Sequence, residues 1–310
     1  VTDVVRVAFF NPLYDEWPPG SADCSTPVEV VGPDDLDQAH GVVFHLPTLD
    51  RRRFAELRKP RGQVWVAWSL ESRATHPEMN DPAILRRIDL EMTYERSSDV
   101  WDPYFGRRIA VHLLKPPPVK TARAPIVWLQ SNAADRSGRK EYFAELARRV
   151  WVDSYGDVAR NRPERIPRTP DDQLALYQQY KFTLAFENSF APDYVTEKFW
   201  LPLMAGSVPV YRGTEAVTEL APAPGCYIDA RDFASATELG AYLDDLDRDD
   251  AAYARFHEWR ADDVSDAFKE LTARLEEPLL CRLANAISVR RSRPPPASGR
   301  RHRRPGTGRR

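Results

Sequence analysis

The sequence predicts an open α/β protein built from two domains. Three observations carry that reading. Short apolar runs rich in Val, Ile, Phe and Trp, each bounded by turn residues, recur along the chain as strands buried on both faces should. Stretches of helical spacing separate them, the alternation that produces parallel sheets. A KPPPVK segment at residues 115–120 interrupts the alternation with a stiff linker, because consecutive prolines bar both helix and central strand. At 310 residues the chain is long enough to bury two cores. The expected division is 1–118 and 119–275, then a helix over 276–288 and a disordered Arg/Pro-rich tail over 289–310.

In the first domain, residues 1–10 (VTDVVRVAFF) open the sheet, and an aromatic, proline-bearing loop follows over 11–20. Residues 28–31, 41–46 and 63–70 (QVWVAWSL) supply further strands, with a helix over 51–58. His45 and His112 read as strand residues in or beside the core, and His76 as a surface residue. Glu71 stands directly after the strand 63–70. A carboxylate at that place is suited to general-base work, because partial desolvation lifts its pKa toward the working range. From the residues alone it is as well read as a cap for the next element.

In the second domain, residues 126–130 (IVWLQ) form the opening strand. Ser137-Gly138-Arg139 leads into a helix carrying Tyr142, Phe143, Leu146 and Val150, and 150–155 is the next strand. A polar loop over 161–172 precedes a helix over 173–180. Residues 180–213, YKFTLAFENSFAPDYVTEKFWLPLMAGSVPVYRG, then read as strand, loop, helix and strand, a parallel crossover. Thr196 is placed to N-cap the helix, and Ala205-Gly206 to end it. Glu187, Asn188, Tyr194, Glu197 and Lys198 fall near the carboxyl end of the first strand, where open α/β sheets bind ligands. The helix start favours an anion, and Lys198 adds a full charge. A Glu-Lys pair in isolation would be an ordinary solvated pair.

The whole string closely resembles the signature of the α-1,3-fucosyltransferases, glycosyltransferase family 10, whose pattern has the form YKFxLxFENSxxxDYxTEKxW. Tyr180, Lys181, Phe182, Leu184, Phe186, Glu187, Asn188, Ser189, Asp193, Tyr194, Thr196, Glu197, Lys198 and Trp200 stand at the matching spacings. The likeness in the first domain is looser: Trp68, Ser69, Glu71 and Ser72, then Tyr94, Glu95, Ser98 and Asp99. The resemblance implies two Rossmann-like domains facing across a cleft (the GT-B type), the first binding acceptor and the second donor. It implies inverting transfer of fucose from GDP-fucose to a hydroxyl of an oligosaccharide or glycoconjugate, α-1,3 to N-acetylglucosamine or a related sugar. Glu71 is the expected base and Glu95 the competing carboxylate. Arg139, in an S-x-R element, is expected at the diphosphate with Lys198, and Asn188, Tyr194 and Glu197 at the ribose and sugar. No metal or cofactor is implied. The alternatives are another nucleotide sugar, a natural-product acceptor, or a donor-binding module without catalysis.

The remaining features concern surroundings. Cys24, Cys226 and Cys281 are odd in number and widely spaced, giving no disulfide framework and no metal spacing. No transmembrane run is seen, and the chain begins without a signal-peptide pattern, as bacterial family members do; a cytoplasmic enzyme, peripheral to the membrane at most, is expected. The DDLDRDD run at 244–250 reads as a solvated face and not as a nucleotide-metal motif. Nine arginines and no acids mark residues 289–310; without them the net charge of −2 falls to about −11. Such a tail is suited to contact with an anionic membrane surface, with no specific nucleic acid expected.

Overall fold

The computed structural model describes residues 4–12, 23–106, 109–167 and 169–293. Within them lie two parallel sheets. The first contains β1 (Val5–Phe9), β2 (Val28–Val31), β3 (Gly41–His45), β4 (Val64–Ser69), β5 (Leu90–Thr93) and β6 (Val100–Trp101), in the order β2-β1-β3-β4-β5-β6. The second contains β7 (Ile126–Trp128), β8 (Val152–Ser154), β9 (Phe182–Phe186), β10 (Val208–Arg212) and β11 (Ile228–Asp229), in the order β11-β10-β9-β7-β8. Every pairing is parallel, so each sheet presents all its strand carboxyl ends along one edge. In the second sheet the strand order reverses between β7 and β9. That is the topological switch point, where a crevice opens between the loops following the two strands.

Burial explains the register. β4 and β9 are buried at every position; β4 accordingly reads as a nearly unbroken apolar run, whereas β9 carries Thr183, whose buried hydroxyl is satisfied by Ser207 Oγ at 2.8 Å. Phe182, Leu184 and Phe186 point into one core with Trp128, Leu146 and Leu243. Ala185, on the opposite face, packs with Phe199, Trp200 and Tyr211. The helix Glu197–Met204 starts at Thr196, whose hydroxyl accepts from the Lys198 N–H, and it stops in a left-handed residue, Gly206 at φ +69°. The N–H groups of Gly206 and Ser207 return to the carbonyls of Leu203 and Pro202, satisfying the last turn without a side chain.

The structure departs from the sequence expectations in several places. The helix expected over 276–288 runs from Leu279 to Ser292, starting after Pro278, and a separate helix, Asp266–Ala273, precedes it. The helix from Leu279 returns to the first domain, burying Leu280, Leu283, Ala284 and Ile287 against Val5, Val7, Phe9 and Val66. It runs on through Ser292, into the stretch expected to be disordered; the rest of that tail, 294–310, lies outside the described residues. Cys24 and Cys281 form a disulfide, with Cα atoms 5.3 Å apart, that fastens this helix to the segment entering β2. The expectation of no disulfide is therefore corrected: 257 residues separate partners that only the returning helix brings together. Cys226 is free and buried. His112 is also corrected, lying in the helix Ile109–Leu113 and not in a strand, whereas His45 is a fully buried strand residue. Among the described residues, no helix is long and apolar enough to cross a membrane.

Candidate functional site

The carboxyl edges of the two sheets meet at a polar seam. From the first domain come the ends of β4 and β5. The loop after β4 turns tightly: Ser69 Oγ accepts the Glu71 N–H at 3.0 Å, which fixes the backbone of Glu71 just beyond the strand. After β5, Thr93 Oγ1 accepts the Glu95 N–H at 3.1 Å. Glu71 and Glu95 consequently line one small pocket together with Arg73, Thr93 and Tyr94. Arg73 bonds Glu91 at 3.1 Å and lies 3.9 Å from Glu95.

From the second domain come the loop 187–196 and the helix it feeds. Glu187 is fully buried, and its two oxygens accept from Thr196, one from the backbone N–H at 2.8 Å and one from the hydroxyl at 2.9 Å. Burial pushes this carboxyl up to about 7, against the pull of Lys198. Lys198 Nζ donates to Glu197 at 2.8 Å and to Thr196 Oγ1 at 3.1 Å, and sits 3.8 Å from Glu187. Burial opposes its charge, but the carboxylates of Glu197 and Glu187 hold its ammonium above the usual lysine value. Burial likewise works against Glu197, and Lys198 outweighs it, leaving that carboxyl below its ordinary value. The head of the helix is thus a charged network in which both residues of the Glu-Lys pair are committed to partners. Gly213 closes the seam from below: a Cβ there would fall 2.2 Å from Tyr211 Oη and 2.9 Å from Glu187 Cγ.

The two halves touch. Tyr194 Oη donates to Glu71 Oε2 at 3.3 Å, and Ser72 Oγ lies 2.8 Å from Ser189 Oγ with both serines buried. The Tyr194 ring meets Tyr94 edge-on at 5.0 Å and Tyr104 at 6.0 Å, so a cluster of three tyrosines floors the contact. Burial and the nearby Glu71 push the Tyr194 phenol upward, which keeps it protonated and a donor.

Arg139 is where the sequence placed it, on the first turn of the helix Arg139–Leu146, but its side chain is wholly buried. Its Nη1 donates to the Phe186 carbonyl at 3.1 Å, and Nη2 to those of Asn132 and Ala134 at 3.1 and 2.8 Å. Its Nε, like Asn188 Oδ1, is buried without a hydrogen-bond partner. The guanidinium therefore ties the loop after β7 to the end of β9, on the two sides of the switch point. Desolvation lowers its pKa, with the charges of Asp135 and Glu187 pulling the other way. The structure brings Glu71, Tyr194, Glu187 and the Glu197–Lys198 pair to one seam. Asn188 joins it through its backbone, whose carbonyl accepts from Arg136 at 2.7 Å. Glu95 stands on the first-domain side, 3.9 Å from Arg73.

Beside the seam opens a cavity of about 840 Å³, lined by Arg96, Phe190, Asp193, Arg212, Thr214 and Arg231 among others. Its walls come from the ends of β10 and β11. Arg212 is braced between the rings of Tyr142 and Phe190, at 4.6 and 5.0 Å, and donates to the Ser137 carbonyl at 2.7 Å. Sequence reasoning missed Arg73, Arg96, Tyr104 and Arg212. Each is an ordinary residue in its local pattern, and only the tertiary approach of another loop gives it a partner. The 244–250 run ends the helix Ala236–Arg248, where its carboxylates pair with Arg149, Arg248 and Lys181.

Comparison with known proteins agrees with this layout. The family described as "Glycosyltransferase family 10 (fucosyltransferase) C-term" matches residues 119–296, and "Fucosyltransferase, N-terminal" matches 23–105. The chain is 35% identical over 230 residues to "Alpha-(1,3)-fucosyltransferase 7" of Homo sapiens, covering 73% of this chain and 64% of that protein. It is 34% identical over 257 residues to a "4-galactosyl-N-acetylglucosaminide 3-alpha-L-fucosyltransferase" of Pan troglodytes, covering 80% of this chain and 68% of that one. The chain thus spans about two thirds of the length of these curated relatives. A crystal structure of an α1,3-fucosyltransferase with GDP-fucose superposes with a TM-score of 0.58 at 16% identity, covering 92% of this chain and 90% of that one, a likeness of fold.

Proposed function

The chain belongs to glycosyltransferase family 10, the fucosyltransferases, and from that premise we propose that it transfers fucose from GDP-fucose to a glycan hydroxyl with inversion at the anomeric carbon. The observation that carries the reading is the Glu71–Tyr194 contact. It brings a first-domain carboxylate to a residue of the signature loop that feeds the Lys198 helix, the kind of approach that transfer between the two domains needs.

Glu71 takes the proton of the attacking hydroxyl. The pocket it shares with Tyr94 and Thr93 is too small for a sugar ring, so the acceptor binds over its mouth, where Glu95, 3.9 Å from Arg73, orients it. On the opposite side, Lys198 and the N-terminus of its helix receive the charge that grows on the departing diphosphate. Lys198 must leave Glu197 for this, and Glu197 is then released to a sugar hydroxyl. Arg139 adds its charge from beneath the loop it braces, with Nε the one of its nitrogens that has no hydrogen-bond partner. Asn188 Oδ1 is the matching unused acceptor. The cavity beside Arg212 and Arg231 takes the nucleoside. The cations the diphosphate needs are side chains, so the reaction is proposed to run without a metal or cofactor. Tail contact with a membrane surface belongs to residues outside those described and is proposed on charge alone.

The test is a transfer assay with GDP-fucose and an N-acetyllactosamine acceptor, the product's linkage and anomeric configuration being read by NMR. An α-fucosylated product supports the reading. GDP release without any fucosylated product, across a panel of glycan acceptors, contradicts it.

A further inference from the structure

Arg96 follows Glu95 on the loop beyond β5, and none of the steps above calls on it. Its backbone N–H donates to Asp193 Oδ2 at 3.0 Å, its Nε to Asp193 Oδ1 at 2.9 Å, and its Nη1 to Glu219 Oε2 at 2.5 Å. Asp193 is the residue before Tyr194; Glu219 lies on the helix Val217–Leu220 that follows β10. One first-domain side chain thus grips two separate elements of the second domain.

The grip falls on a turn. Asp193 has φ +58°, in the left-handed region that Asp and Asn enter more readily than other non-glycine residues. An arginine fork on a carboxylate fixes direction as well as charge. With side-chain exposures of 28% and 16%, Arg96 and Asp193 are shielded enough from solvent for the pair to matter. Arg96, Asp193 and Glu219 also form part of the wall of the 840 Å³ cavity. Closure of the seam and the shape of that cavity therefore share the same side chains.

We propose that Arg96 is a positioning residue, a clamp that closes the two domains and sets the turn at Asp193 so that Tyr194 meets Glu71. It rests on the fucosyl-transfer reading only for its kinetic consequence. The closure itself is a property of the unliganded chain.

The closure is read by a Ser72→Cys/Ser189→Cys variant, since those hydroxyls lie 2.8 Å apart across the seam. The native cysteines do not interfere, two being bonded and the third buried. Cross-linking under mild oxidant is expected to slow by about tenfold or more when Arg96→Ala or Asp193→Asn is added, the size expected of a charge-assisted contact. Asn tolerates the left-handed turn, so that substitution separates the ion pair from the backbone conformation. Arg96→Lys, which keeps charge without the fork, is expected between the two and serves if Arg96→Ala does not fold. Without the added cysteines, Arg96→Ala is expected to lower kcat, and to raise the KM for GDP-fucose with it because Arg96 also walls the cavity assigned to the nucleoside. Equal cross-linking rates, or an unchanged kcat in a wild type that does turn over, would overturn the clamp. A wild type that transfers no fucose sinks the functional reading, while the cross-linking rates still decide the clamp.

Discussion

The phenol of Tyr194 donates to Oε2 of Glu71 at 3.3 Å, joining residues 123 positions apart and from different sheets. Replacing Tyr194 by Phe removes that bond but keeps the ring against Tyr94 and Tyr104. A single hydrogen bond is worth about 0.5–1.5 kcal/mol net, so kcat is expected to fall between about twofold and tenfold. Thermal stability should change little. A variant with full activity would show that the contact has no part in aligning Glu71.

Glu71 and Glu95 share a pocket, with Tyr194 donating to the first and Arg73 approaching the second. Loss of a general base costs about 10²–10⁴ in rate, so Glu71→Gln should reduce kcat within that range. Glu95→Gln, which weakens the Arg73 contact at 3.9 Å without removing the proposed base, should cost less than about tenfold. Steady-state kinetics on the two variants give the ranking, and the reverse order would reassign the base.

Glu187 predicts a pH dependence of stability. Its carboxyl rises from 4.5 to about 7 on folding, chiefly through burial. Between those values the folded chain keeps a proton that the unfolded chain has lost, so its contribution falls as pH rises through the window and is level on either side. Glu187→Gln cannot titrate. The stability difference between wild type and variant should therefore shift by on the order of 3 kcal/mol from pH 4 to pH 8, in the variant's favour at the higher pH. Urea unfolding at intervals across that range checks it; parallel curves would contradict it.

The Cys24–Cys281 disulfide fastens the returning helix to the first domain. A bond closing so long a loop contributes roughly 2–5 kcal/mol, so reductant should lower the melting temperature of the wild type. Cys24→Ser should melt at that lower temperature with or without reductant. A wild type indifferent to reductant would mean that the packing of Leu283 and Ile287 alone holds the helix.

Much of this was legible in the chain. β4 announced itself because burial on both faces favours an apolar run, and β9 through its alternating β-formers. Thr196 and Gly206 marked the ends of the signature helix because caps are local chemistry. The side chains Glu71, Glu187, Tyr194 and Lys198 could be nominated because they follow strand ends, where parallel sheets bind ligands. What escaped depended on distance in sequence. Cys24 had no visible partner until the returning helix brought Cys281 to it. Arg139 looked like a free cation, yet three carbonyls claim it. Arg96 carries no local signal; its meaning comes from Asp193, on the far side of the seam.

A donor site for GDP-fucose built around Lys198 can be measured by calorimetric titration. GDP-fucose, GDP-mannose and UDP-galactose would each be titrated into wild type and Lys198→Ala. The account predicts binding selective for GDP-fucose, weakened at least about tenfold in the variant, as loss of a charge-assisted contact requires. Equal binding of all three sugars, or GDP-fucose affinity untouched by Lys198→Ala, would contradict it.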